Sequence, residues 1–161
     1  MLIVAEDARV SPLADIEESV RGTRIEIGAG CVVDSFVKIK PAGGSGDFVM
    51  GARCHLNSGV VVYTGHGVTL GDDVLIAANC TLAPVNHDFK TRARPMSAGH
   101  EPSRGGIVVG SDVCIGATSV LLDGAVVGDG VVIGAGSVVT GRLEPYGIYR
   151  GSPARLAGRR E

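Results

Sequence analysis

Of the 161 residues, four are histidines, and one of these stands where an acid or base would be useful. His87 lies in Thr81-Leu-Ala-Pro-Val-Asn-His-Asp-Phe89, at the mouth of a polar, proline-interrupted stretch at about 83–106. An imidazole titrates near neutral pH, so it can take a proton from a hydroxyl or amine that attacks an activated acyl group. A lone histidine is more often a surface residue, and His87 taken alone carries both readings. Asn57 is the second candidate. Its amide donates and accepts, so it can hold a hydroxyl and help an oxyanion; asparagine also tolerates a tight corner. His66, with Tyr63, sits in Tyr63-Thr-Gly-His-Gly67 and is a candidate for contact with a substrate. His55 and His100 read as surface or interface residues. Arg155, Arg159 and Arg160 form a basic end that suits phosphates, or is a solvated terminus.

The four cysteines, Cys31, Cys54, Cys80 and Cys114, show no CxxC spacing. They read as small apolar residues rather than as a zinc knuckle or redox pair. A nucleophilic cysteine needs an electropositive setting, and none is visible.

What positions these residues is a repeat. Val109, Ile115, Leu121, Val127, Ile133 and Val139 stand six apart without a slip, and Gly110, Gly116, Gly128 and Gly134 follow four of them. Neither a helix nor an ordinary strand demands a period of six, and a fixed repeat defines the architecture before local propensity does. The frame runs backwards through Ile27, Val33 and Ile39, then Met50, Leu56 and Val62, then Leu70, Ile76 and Leu82. Val10 and Ile16 are a fainter start. The frame breaks at 41–47 (Pro-Ala-Gly-Gly-Ser-Gly-Asp), at two extra residues between Val62 and Leu70, and at about 83–106. A break as long as the last is usually functional.

Composition narrows the class. The length suits one domain, 1–161. The 25 glycines and 4% aromatic residues fit a narrow repeat better than a layered core. A net charge of −2 gives no reason to expect nucleic acid. No apolar run is long enough to span a bilayer, so no membrane insertion is expected. The first residues show no basic segment followed by a sustained apolar stretch; no signal peptide is read, and the expectation is cytoplasmic.

The hexads resemble those of the hexapeptide-repeat acyltransferases. The resemblance implies an all-β, single-stranded left-handed parallel β-helix, a triangular prism with three hexads to a coil. A protruding loop at about 83–106 and a short C-terminal tail or helix would decorate it. The stretch Gly71-Asp-Asp-Val-Leu-Ile-Ala-Ala-Asn-Cys-Thr-Leu82 is similar to the one that precedes the catalytic histidine of sugar and maltose-type O-acetyltransferases. That similarity makes His87 the general base and puts Asn57 at the acceptor or reacting centre, while Asn79 reads as structural. The segments 34–47, Asn57-Ser-Gly and 77–87 resemble O-acetyltransferases of surface-polysaccharide assembly. The C-terminal Tyr149-Arg-Gly-Ser-Pro-Ala-Arg155 is similar to the family's closing segment. By the same resemblance acetyl-CoA is the acyl donor. Ala117 and Ala135 would offer backbone contacts to pantetheine, Thr140 would lie near the adenosine end, and Arg155 would pair with phosphate. Arg142 would replace a lysine that many members carry where this chain has Gly141.

The family forms homotrimers with active sites between subunits, and the apolar Val120, Val126, Val132 and Val138 agree with faces that need covering. The implied function is O-acetylation of a sugar, nucleotide-sugar or polysaccharide-precursor hydroxyl. The closest rival is N-acetylation of an amino sugar, for which His87 serves equally. The zinc lyases on the same prism, the γ-class carbonic anhydrases, use a His-x₄-His pair; five residues after His87 stands Arg92, so no metal is expected. A non-catalytic scaffold is a further alternative.

Overall fold

The computed structural model describes residues 1–99 and 102–161, so the expectation for His100 lies outside the described residues. The chain winds as a left-handed parallel β-helix. Coil by coil, the strands are β1 (Leu2–Val4), β2 (Arg9–Val10) and β3 (Asp15–Ile16); β4 (Ile25–Ile27), β5 (Val32–Val33) and β6 (Lys38–Lys40); β7 (Phe48–Met50), β8 (His55–Leu56) and β9 (Val61–Tyr63); β10 (Val68–Leu70), β11 (Leu75–Ile76) and β12 (Thr81–Ala83). After a long loop come β13 (Ile107–Val109), β14 (Cys114–Ile115) and β15 (Val120–Leu122); β16 (Val126–Val127), β17 (Val132–Ile133) and β18 (Val138–Val139); then β19 (Arg142–Leu143), β20 (Gly147–Arg150) and β21 (Arg155–Arg159).

Each full coil lays one strand in each of three sheets. The first sheet runs β1-β4-β7-β10-β13-β16-β19, the second β2-β5-β8-β11-β14-β17-β20-β21, and the third β3-β6-β9-β12-β15-β18. The six-residue frame maps onto this one run to a coil. In the second sheet Val33, Leu56, Ile76, Ile115 and Ile133 stand in register and fill the prism. Ile39, Val62, Leu82, Leu121 and Val139 do the same in the third. Each such side chain contributes about 1.5–3 kcal/mol by leaving water, and a slip of one residue would turn a whole rung outward. Within each of the first six coils the turn from one strand to the next is four residues long. Its first position meets the coil below: a Cβ on Gly28 would strike the Gly51 carbonyl, and one on Gly71 the Ser111 side chain. Asn79 occupies the third turn position with φ +61, in the left-handed region that asparagine tolerates, as the structural reading of this residue requires.

Cys31, Cys54 and Cys80 are buried rungs whose thiols donate to the carbonyls of Gly51, Gly71 and Gly116. Burial pushes the Cys54 thiol up to about 11 and raises that of Cys80 as well. A thiol so placed is not a nucleophile at neutral pH.

Two expectations need correction. The helix begins a strand earlier than Val10, because Leu2–Val4 pairs with Ile25–Ile27 and Val4 already stands in the frame. The chain ends in neither a helix nor a loose tail: β21 turns back to pair antiparallel with β20. A free sheet edge has unpaired N–H and C=O groups, and the reversal at 151–154 satisfies those of β20. The four valines fall on all three outer faces. Val120 and Val138 stack on the third sheet, Val126 lies on the first, and Val132 lies on the second. Consecutive hexads face different directions, so each of the three outer faces receives at least one of these half-buried valines.

Candidate functional site

Three edges run the length of the prism. The first edge is made of the turns from the first sheet to the second, the second edge of those from the second sheet to the third. The third edge returns each coil to the next. All the frame breaks seen in the sequence fall on the third edge: 41–47, 64–67 and the loop 84–106. An insertion there lengthens the return between coils and leaves the rungs in register.

His87 projects from that third edge, four residues after β12 ends. It is exposed, its backbone N–H donates to Asn86 Oδ1 at 2.8 Å, and it lines a pocket of about 450 Å³. The pocket lies between the outgoing limb of the loop (86–90) and the returning limb (102–104), with Asp123 contributed by the prism. Tyr63 and His66 belong to the same edge one coil earlier. His66 Nδ1 lies 3.1 Å from the Pro84 carbonyl, at the root of the outgoing limb. Thr140 is on this edge two coils later, and Arg142 follows it on the outer face of the first sheet, its Nε donating to Glu144 Oε1 at 3.1 Å.

Asn57, Ala117 and Ala135 lie on the second edge. Asn57 Nδ2 donates to the Ile76 carbonyl of the next coil at 2.8 Å, so the amide stitches coils together and its oxygen is left for other partners. Ala117 and Ala135 take the second position of their turns. Among the described residues, the backbone N–H groups of Ser58, Ala78, Ala117 and Ala135 have no hydrogen-bond partner, although their neighbours are paired, as Gly116 is with the Ile133 carbonyl and Thr118 with that of Ala78. Four unpaired donors therefore climb one edge past small side chains. At its foot stand two arginines: Arg150 lies beneath Gly134 and pairs in register with Arg155. Arg155 is exposed, with Nη1 at 3.3 Å from the Ala154 carbonyl. Arg160, in contrast, turns away to Asp112 Oδ2 at 2.8 Å on the first edge.

The candidates thus divide. His87, Tyr63, His66 and Thr140 share the third edge; Asn57, Ala117, Ala135 and Arg155 share the second. One subunit does not bring the two sets together. Two residues escaped the sequence reading. Arg150 was hidden inside the closing segment. Asp123 was visible only as an acid at a corner otherwise filled by Thr64 and Pro84. The outer face of the second sheet also holds His55, whose Nε2 lies 3.0 Å from Asp34 Oδ2, in agreement with a surface reading. Among the described residues no group of three or more metal-ligating side chains converges, and no helix is long and apolar enough to cross a membrane.

Comparison with known proteins bears on this arrangement. Residues 106–141 match the family model described as bacterial transferase hexapeptide (six repeats), and residues 49–84 match the hexapeptide repeat of succinyl-transferase. The chain is 34% identical over 111 residues to galactoside O-acetyltransferase of Escherichia coli (strain K12), covering 66% of this chain and 51% of that protein. It is 29% identical over 141 residues to the putative lipopolysaccharide biosynthesis O-acetyl transferase WbbJ of the same organism, covering 84% and 68%. The chain thus spans about half the length of the first of these relatives and about two thirds of the second. Among solved structures, a variant of AntD, an N-acyltransferase from Bacillus cereus in complex with dTDP and coenzyme A, superposes with a TM-score of 0.84 at 25% identity, covering 98% of this chain and 84% of that one. In repeat, register and fold, the chain is a hexapeptide-repeat left-handed β-helix protein, similar to bacterial acetyltransferases of sugars and polysaccharides.

Proposed function

We propose that this protein is an acyltransferase that moves an acetyl group from acetyl-CoA to a hydroxyl of a sugar or nucleotide-sugar acceptor. The observation that carries the reading is the division of the site between two edges. An open ladder of N–H donors with arginines at its foot fits an acyl-CoA, and a base stands beside a pocket on the other edge. Pantetheine is a slim chain with two amide carbonyls. The small Ala117 and Ala135 let it approach the backbone, their N–H groups suit its carbonyls, and Arg150 and Arg155 suit its phosphates. Thr140 and Arg142, on the far edge, meet this donor only from a neighbouring subunit. The assembly that joins a second edge to a third edge is a homotrimer, with three equivalent clefts.

In such a cleft His87 takes the proton of the acceptor hydroxyl as its oxygen attacks the thioester carbonyl. Backbone N–H groups and Asn57 of the adjoining subunit stabilise the oxyanion. The C–S bond then breaks, and the imidazolium returns its proton to the departing thiolate. The products are an ester and free CoA, and no acyl-enzyme forms. Tyr63 and His66, on the same edge as His87, contact the acceptor.

A second reading, N-acylation of an amino sugar, rests on a specific likeness. A second variant of AntD, crystallised with dTDP-4-amino-4,6-dideoxyglucose and coenzyme A, superposes over 99% of this chain with a TM-score of 0.83 at 25% identity. Calorimetric titration with acetyl-CoA, on the protein as it stands and on Arg155→Ala, tests the donor edge. Binding that the substitution weakens is expected; no binding to the unaltered protein would overturn the reading. Turnover with matched hydroxyl and amino sugars then separates the two acceptors.

A further inference from the structure

The pocket beside His87 is made almost wholly of loop. Its walls are 86–90 from the outgoing limb and 102–104 from the returning limb, and Asp123 is the one lining residue that belongs to a regular coil. A loop of this length pays a large entropic cost to hold two limbs apart at a fixed distance. Something must therefore pin the limbs, and the hydrogen bonds show where.

The returning limb is fixed at three points. Asp123 is 2% exposed, and its carboxylate accepts the Arg104 backbone N–H at 2.7 Å. The same carboxylate faces the Arg104 guanidinium, with Nε at 3.4 Å and Nη2 at 3.3 Å. The Gly105 carbonyl accepts the Gly124 N–H at 2.9 Å, next to the same carboxylate. Ser103 Oγ lies 3.3 Å from the Pro84 carbonyl and so ties the returning limb to the root of the outgoing one, three residues before His87. Burial pushes the Asp123 carboxyl up, but the Arg104 N–H and guanidinium outweigh it and the net shift is downward. The group is therefore ionised at neutral pH, when its hydrogen bonds are strongest. The rungs on either side, Val108 with Val126 and Leu121 with Val139, are paired by strands to which Asp123 does not belong.

We propose that Asp123 is a positioning residue of the His87 pocket: from inside the prism it clamps Arg104, and through Arg104 and Ser103 it sets the gap between the two limbs in which the acceptor is held. The proposal rests on the reading of His87 as the base for its kinetic consequence, but not for its structural one.

Limited trypsin digestion tests the clamp without any activity. Lys90 ends the outgoing limb, Arg92 follows it, and both are exposed and cleavable, whereas Arg94 is followed by Pro95. Asp123→Ala should raise the rate of cleavage at Lys90 and Arg92 by about tenfold or more, because proteolysis follows the population of the open loop. The melting temperature should stay within about 3 °C, since the rungs are untouched. Arg104→Met, which keeps the backbone bond to Asp123, should show a smaller increase. Asp123→Asn keeps shape and one acceptor oxygen and replaces the alanine variant if that one does not fold. In turnover assays the clamp variants should raise the acceptor KM about tenfold and leave the acetyl-CoA KM unchanged. Unchanged cleavage at unchanged melting temperature would overturn the proposal. So would a melting temperature that falls in step with faster cleavage, since Asp123 would then be a support of the prism at large. If no acceptor turns over at all, the transferase reading fails while the digestion still decides whether the clamp exists.

Discussion

The first and second edges of the prism are built from the same four-residue turn, yet in the middle coils they treat its second N–H in opposite ways. On the first edge the Ala52 N–H donates to Asp72 Oδ1 at 2.7 Å, that of Asp72 to Ser111 Oγ at 3.0 Å, and that of Ser111 to Asp129 Oδ1 at 2.7 Å. From Ala52 to Ser111 a side chain of the following coil caps each of these N–H groups, and Arg53 adds an ion pair with Asp73 at 2.7 Å. On the second edge the same position holds Ser58, Ala78, Ala117 and Ala135, and no side chain reaches back to their N–H groups. One edge consumes its own donors and becomes a seam. The other leaves them open along a smooth track. An exposed N–H loses little by waiting in water, so the open edge costs the fold little while offering a ligand directed bonds. In a repeat fold, function follows from which side chains a turn lacks as much as from those it carries.

The largest effect should come from the group on neither of these edges. His87→Ala should lower turnover by about 10²–10⁴-fold and leave acetyl-CoA affinity unchanged by calorimetry, because the donor lies against the second edge. A loss of affinity equal to the loss of turnover would break the division of labour between edges. Next, Ala135→Trp should obstruct the open track and weaken acetyl-CoA by at least about tenfold, with the melting temperature nearly unchanged because Ala135 is exposed. Arg155→Ala should weaken the same ligand by about five- to tenfold through loss of a charge-assisted contact, and more so at low salt.

The complementary change on the seam is Asp129→Ala. It should lower stability by about 1 kcal/mol in urea denaturation and leave acetyl-CoA binding as it was. If it weakens binding as Ala135→Trp does, the two edges are not functionally distinct. The smallest effect concerns the thiols. Cys54, with its pKa raised to about 11, stays protonated below about pH 10, so native protein at pH 8 should not be alkylated there. Cys114, half-buried on the outer face of the second sheet, should label first. Mass spectrometry of labelled peptides gives the order.

The rungs were legible in the residues because inward side chains must recur every six positions, and Val109 to Val139 do so without a slip. The loop at 84–106 was legible as a break in that frame. Leu2–Val4 was harder to see: its three residues are each 37–41% exposed, and a terminal strand with one neighbour carries a weak apolar signal. The C-terminal strand was not legible at all, since Arg155–Arg159 has no apolar alternation and pairs only because β20 offers a free edge. His87 and Asn57 were identifiable as residues capable of chemistry, but their separation was not, because the sequence distance between them does not say which corner each occupies.

The sequence by itself therefore determined the period, the rungs from Ile27 to Val139, the place of the interruptions between them and the residue types available for proton transfer and phosphate binding. It did so because a hydrophobic interior with three-sided symmetry imposes a strict spacing on the chain. Only the tertiary structure decided which residues share an edge, which turn amides are left unpaired, and that a buried Asp123 holds the far limb of the loop. Those facts depend on contacts between coils some twenty residues apart, and such contacts are set by the stacking register rather than by any local pattern.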